Sequence, residues 1–242
     1  MATSPFARPA ARLAPALFCL LAGVGFVRCS SGGQDGGADA APAFPLETFA
    51  DTVAAAHGIE RWPEVERLDF TFAVDVNDTN RFTRDWTWYP KSDSVVAQGP
   101  GGTVAYRRNT PLDSAATATD KAFINDSYWL LMPFYLIWSE DGYESSVTYR
   151  DTMPLSRELG TKFTVQYRPT GGYTPGDAYD LYVDADYVLQ EWVFRKGGAD
   201  EPSMTMDWSD YATSHGIVLP GDHRGEGSTR IYHPKAEITL SK

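Results

Sequence analysis

From Arg67 onward, apolar side chains recur at every second position, and this constrains the fold more than any other feature of the chain. Leu68, Phe70, Phe72, Val74 and Val76 alternate with Asp69, Thr71, Ala73 and Asp75, the pattern of a strand with one face buried. Asn77 to Asn80 is a turn. The next strand sets Phe82, Arg84, Trp86 and Trp88 on one face. The same period returns at Val104 and Tyr106, Tyr143 to Tyr149, Phe163 to Tyr167, Tyr179 to Val183, Val188 to Phe194, Met204 to Trp208 and Ile231 to Leu240. Short alternating strands separated by turn residues predict a large antiparallel sheet, so the fold class is mainly β, of the α+β kind.

A sheet with one apolar face needs a cover. The stretch from Pro45 to Gly58 predicts a helix: Pro45 suits a first turn, Glu47 and Asp51 lie toward its positive end, and Gly58 suits a stop. His57 falls on its apolar face and reads as a packed or capping histidine. The second candidate is Thr119 to Trp138, the most apolar part of the chain beyond the leader. Thr119 would cap a short helix running to about Leu131, with Pro133 ending it. Pro133 and the length of the stretch argue against a membrane span.

The first 28 residues have the layout of a secretory signal, with Arg8 and Arg12 ahead of an apolar run from Leu13 to Val27. Residues 29–43, from Cys29 through a Gly/Ser/Ala-rich stretch, predict a flexible tether, and 44–242 a single domain. Cysteine followed by such a tether resembles the bacterial lipoprotein leader, in which the thiol receives a diacylglycerol. Arg28 stands where that pattern has a small residue, so an uncleaved anchor or cleavage elsewhere remain as alternatives. The two cysteines are Cys19 and Cys29, which leaves the domain without a disulfide or a thiolate metal site. The formal net charge is −11. Such a surface repels phosphate backbones, which argues against nucleic acid as a partner.

Catalytic signals are poor. The chain carries no GxSxG elbow, HExxH, P-loop or dinucleotide fingerprint, so the expectation is a protein that is not an enzyme and needs no cofactor. Asp180, Asp184 and Asp186 form an acidic cluster that reads as a solvated strand edge, lacking the glycine and terminal glutamate of a calcium loop. A site for an acyl chain needs large apolar side chains around a concavity. Trp86, Trp88, Trp129, Leu130, Met132, Phe134, Trp192 and Trp208 would supply it, or would simply fill the core. Arg84 is in phase with Trp86 and Trp88. An inward guanidinium would bind a lipid head group or latch a covering helix through its carbonyls, whereas a strand-end arginine would reach out to water.

The segment from Phe123 to Phe134 (FINDSYWLLMPF), the paired Trp86 and Trp88, Tyr179 to Asp184 (YDLYVD), and Asp207 to Tyr211 followed by Gly216 to Pro220 together resemble the Lol-type lipoprotein carriers and receptors. The resemblance implies a strongly curved antiparallel half-barrel, covered by an N-terminal helix and an apolar helical plug. It also implies a cavity that shelters acyl chains, and adds Phe123 to the candidate ligand contacts. Cys29 makes the chain look more like a lipidated receptor than a soluble carrier, on the periplasmic face of the outer membrane or in the periplasm. The expected partners are a lipid or acyl-chain ligand and a membrane reached through the anchor. A structural or protein-docking lipoprotein with a filled core is the alternative, and a lipid hydrolase comes third.

Overall fold

The computed structural model describes residues 48–241 apart from 100 and 171. The leader, Cys29 and the tether lie outside the described residues. The domain begins with Thr48, whose hydroxyl accepts from the Asp51 amide (3.1 Å) while the Asp51 carboxylate accepts from the Thr48 amide (2.9 Å). This reciprocal cap starts helix α1 (Phe49–Ala56), which is shorter than the predicted 45–58 helix because Thr48 is its N-cap and it ends before His57. Gly58 then turns the chain with φ +82°, and a Cβ there would lie 2.0 Å from the Gly216 carbonyl oxygen. Only glycine fits that backbone approach.

Beyond a 3-10 stretch (Ile59–Glu64) run four strands, β1 (Val65–Val76), β2 (Thr79–Tyr89), β3 (Ser94–Gly99) and β4 (Gly102–Arg107). Asn77 and Asp78, both at positive φ, make the two-residue hairpin between β1 and β2. Helix α2 (Ser114–Trp138) follows, then β5 (Tyr143–Thr152), β6 (Leu159–Tyr167), β7 (Ala178–Val183), β8 (Leu189–Arg195) and β9 (Met204–Asp207). A small hairpin, β10 (Ala212–Ser214) and β11 (Ile217–Leu219), precedes β12 (Asp222–Arg224) and β13 (Thr229–Leu240). The alternating runs of the sequence are all strands. β3 and the three-residue β10, β11 and β12 lack enough alternation to show in it.

The strands form two antiparallel sheets, in the orders β12-β13-β1-β2-β3-β4 and β5-β6-β7-β8-β9, beside the β10–β11 hairpin. The sheets meet where β9 lies against β12, joined by the Ser209–Asp222 bridge and by the Asp207 carboxylate accepting from the Arg224 amide (2.6 Å). They are not closed into a barrel. This order leaves β4 and β5 as the two far edges of one curved surface, and α2 is the connection between them. It therefore runs from rim to rim, and 25 residues reach roughly 37 Å.

Helix α2 differs from expectation at both ends. It starts at Ser114, capped by the Asp113 carboxylate accepting from the Ala116 amide (2.8 Å), and it continues past Pro133 to Trp138. The backbone leaves helical geometry at Leu131 (φ −124°, ψ 18°) and then resumes. The kink accommodates the proline ring, and the extra turn buries Phe134, Tyr135 and Leu136. One contiguous apolar core runs between α2, α1 and both sheets. Among the described residues no helix is long and apolar enough to cross a membrane.

Candidate ligand-binding interior

Alternation along β1, β2, β8 and β9 turns one face of each toward α2, and the side chains singled out for an acyl site meet there. Trp86, Trp88, Phe123, Trp129, Leu130, Met132, Phe134, Trp192 and Trp208 are all buried in the same cluster. Phe123 on α2 stands edge-on to Trp86 and Trp88, with ring centroids 5.5 Å from each. Further along α2, Trp129 packs edge-on against Trp192 (4.4 Å), which meets Trp208 at 5.3 Å. The interior is occupied by these rings. Two concavities, of about 350 and 460 Å³, lie by Glu191 and Asp207 on the side of β8 opposite Trp192. Of the predicted acyl contacts only Trp208 borders one of them.

Arg84 is where the polar chemistry of the interior begins. Its Nε donates to Asp126 Oδ2 at 2.7 Å and its Nη2 to Oδ1 at 2.5 Å, while Trp86 Nε1 donates to Oδ2 at 2.9 Å. Asn125 adds a fourth donor at 3.0 Å. The Asp126 side chain is 0% exposed and that of Arg84 is 32% exposed. Arginine therefore latches α2 through a carboxylate rather than through backbone carbonyls, with its outer edge still at water and the Phe82 ring 4.6 Å beneath it. Burial pushes the Asp126 carboxyl above the usual range, and the Arg84 hydrogen bonds oppose that rise.

A second ionic tie holds the N-terminal part of α2. Buried Asp120 accepts from Arg108 Nε (2.7 Å), from the Tyr106 hydroxyl on β4 (3.2 Å) and from the Tyr173 hydroxyl (2.8 Å). Tyr173 belongs to the β6–β7 connection, so one carboxylate gathers both sheets onto the helix. The C-terminal part is held by hydroxyls: Tyr143 donates to the Leu136 carbonyl (2.7 Å), and Ser139 pairs with Tyr167 (3.1 Å).

Where the sheets meet, beneath the kink, lie two buried histidines. His223 Nδ1 is 3.1 Å from the Asp207 carbonyl oxygen, and the ring packs on Trp208 (4.7 Å) and Trp129 (5.3 Å). His233 stands 5.7 Å from it. Burial pushes His223 down to about 4 and holds His233 well below the usual imidazole range. His57 is likewise buried, its Nδ1 2.8 Å from the Val53 carbonyl, as expected for a packed histidine.

Sequence reasoning named Arg84 but missed Asp126, the Asp120 tie and the two histidines. A lone carboxylate inside FINDSYWLLMPF was the available signal, since a charge in so apolar a run needs a buried partner. The acidic cluster also differs from its reading as a solvated edge. Asp180 is buried and paired with Arg195, and Asp184 caps the turn by accepting from the Asp186 and Val188 amides (2.9 Å each). Among the described residues no group of three His, Cys, Asp or Glu side chains is placed to hold a metal ion.

No protein-family model matches the chain, and no curated protein matches it. Solved structures do. A DUF1329 family protein from Desulfovibrio piger aligns with a TM-score of 0.47 at 7% identity, over 83% of this chain and 95% of its own. A LolA superfamily protein from Nitrosomonas europaea gives 0.45 at 7% identity, over 80% and 94%. A domain assigned to outer membrane lipoprotein sorting, from Vibrio parahaemolyticus, gives 0.43 at 10% identity, over 80% and 94%. At these identities and TM-scores the likeness carries neither a residue role nor a function across to this chain.

Proposed function

We propose that this is an exported envelope lipoprotein that shelters a lipid or other hydrophobic ligand between its curved sheet and α2. One observation carries the reading: α2 bridges two free sheet edges over an aromatic interior and is held by buried ion pairs, at Asp126 and Asp120, as well as by apolar contacts. A permanent cover would be at least as stable with apolar residues at those positions, because the desolvation cost of a buried pair offsets its attraction. Paired charges instead give one closed position that is specific and, once broken, separable. In this reading α2 is a gate that opens at its latches, and the rings beneath it become the ligand surface. The anchor on Cys29 would keep the domain at a membrane, the periplasmic face of the outer membrane being the expected site.

Native mass spectrometry of the purified protein, with and without lipid extraction, tests the proposal. Adducts of lipid mass that disappear on extraction support it. The filled interior favours a second reading, an interaction lipoprotein whose curved sheet docks another protein. A bare polypeptide mass that stays unchanged after incubation with phospholipid vesicles would select that reading. Turnover of ester substrates would instead point to a hydrolase.

A further inference from the structure

The seam beneath the α2 kink holds polar atoms that the fold leaves unpaired. Trp192 and Trp208 are both buried, and their indole N–H groups make no hydrogen bond within the domain; neither does His223 Nε2 nor either ring nitrogen of His233. The rings carrying these atoms form one unbroken series of contacts from Trp192 through Trp208 and His223 to His233. Each unpaired buried group forfeits its hydration without a replacement partner, so four such side chains side by side demand a reason.

Their hydrogen-bonding roles can be assigned. The Asp207 carbonyl only accepts, so the proton of neutral His223 sits on Nδ1 and leaves Nε2 a bare acceptor. Pro133 has no N–H to give to the Trp129 carbonyl four residues earlier, so that oxygen loses its helical partner. The Trp129 and Asp126 carbonyls approach the His223 and His233 rings without reaching hydrogen-bond geometry. The seam thus offers two indole donors, at least two acceptors, and in His233 one of each. An anion finds no free cation here, since Arg84 is taken by Asp126. An acceptor-only group, such as an ether, leaves the acceptors unserved. A hydroxyl both donates and accepts.

We propose that the seam lined by Trp192, Trp208, His223 and His233 is a polar subsite that receives the hydroxyl end of an uncharged lipid, a long-chain alcohol or acylglycerol, once α2 lifts at its kink. This rests on the hydrophobic-ligand reading above and narrows it to a chemical class. The alkyl chain lies along the aromatic surface toward Trp86 and Trp88, and the hydroxyl donates to His223 Nε2 while accepting from an indole N–H.

The test compares three probes of one chain length, 1-decanol, decyl methyl ether and decanoate, titrated at neutral pH against the purified protein with tryptophan fluorescence as the readout. Decanol should bind about tenfold tighter than either other probe, the worth of one well-made buried hydrogen bond. His223→Phe, which keeps a ring but removes the acceptor, should reduce decanol to the affinity of the ether and leave the ether unchanged. Nitrogen-15 NMR of the wild-type imidazoles gives a second readout that needs no variant: the His223 Nε2 signal moves with decanol and stays with the ether. Equal binding of all three probes with a static His223 signal overturns the subsite and leaves the hydrophobic-ligand reading standing. Binding of none overturns both.

Discussion

Replacing Arg84 by leucine strips Asp126 of its cation while leaving the donors on Trp86 and Asn125. Removing one partner of a buried pair costs about 3–5 kcal/mol. Here the loss should be smaller, about 2–3 kcal/mol, because Arg84 is about one-third exposed and two hydrogen bonds survive. In a domain of this size that lowers Tm by roughly 5–10 °C. The pH dependence is diagnostic. Without Arg84 the folded-state pKa of Asp126 rises further above its unfolded value, so the folded variant holds a proton that the unfolded chain releases. Its deficit against wild type is then full at pH 7 and shrinks as pH falls toward the unfolded carboxylate value. Losses that both proteins suffer in acid cancel in this difference. Urea unfolding followed by tryptophan fluorescence at pH 7 and pH 5 measures both effects. The double variant Arg84→Leu with Asp126→Leu, which removes the orphaned charge, should recover most or all of the lost stability. A deficit below about 1 kcal/mol at pH 7, or a double variant no better than the single, would refute the argument that Asp126 is a buried charge held by its latch.

Other outcomes follow from the same geometry. His223 is held at about 4 in the folded state against 6.5 unfolded, so the unfolded chain binds the extra proton between those values and stability falls as pH drops through that window. His223→Phe should remove roughly 3 kcal/mol of this acid sensitivity, read as a flatter stability curve from pH 6.5 to 4. Tyr173→Phe deletes one hydrogen bond to Asp120 and should cost about 1 kcal/mol in urea unfolding, with faster hydrogen exchange in the first half of α2. Gly58→Ala forces a Cβ into the Gly216 carbonyl and should lower stability by more than about 2 kcal/mol. Metabolic labelling with a palmitate analogue should mark wild type and spare Cys29→Ser, and equal labelling of both would remove the lipid anchor from the proposal.

Much of the fold is legible in the chain because a strand's pattern is local. Phe70, Trp86 and Trp192 announce their inward face through their neighbours two positions away. The register that sets Arg84 opposite Phe72 and so over α2 is not local, and neither is the pairing across 42 residues with Asp126. The limits of α2 misled for a related reason. Pro133 is a stop signal in an isolated helix, but Phe134 and Leu136 beyond it are buried in the core, and that burial outweighs one missing hydrogen bond. The histidine pair left almost no trace. His223 and His233 come together through the pairing of β12 with β13, and β12 is only three residues long.

The rim-to-rim course of α2 has a mechanical consequence. A flap hangs by one end, whereas this helix is fastened at both, by residues 108–113 to β4 and by residues 139–142 to β5. It behaves like the handle of a pail. If α2 opens as proposed, it would arch away from the vessel without leaving it, and a ligand of the proposed kind would pass sideways beneath it rather than through a vacated doorway. The bend at Leu131 divides the handle unequally, and the longer arm carries both ionic clasps. Travel should therefore be greatest over the Trp86 and Trp88 end and least at the β5 rim. Cutting the chain between Asn109 and Pro111, with Thr48 and Leu240 joined through a linker, would turn the handle into a true flap with every strand intact, and exchange of a ligand of the proposed kind should then quicken.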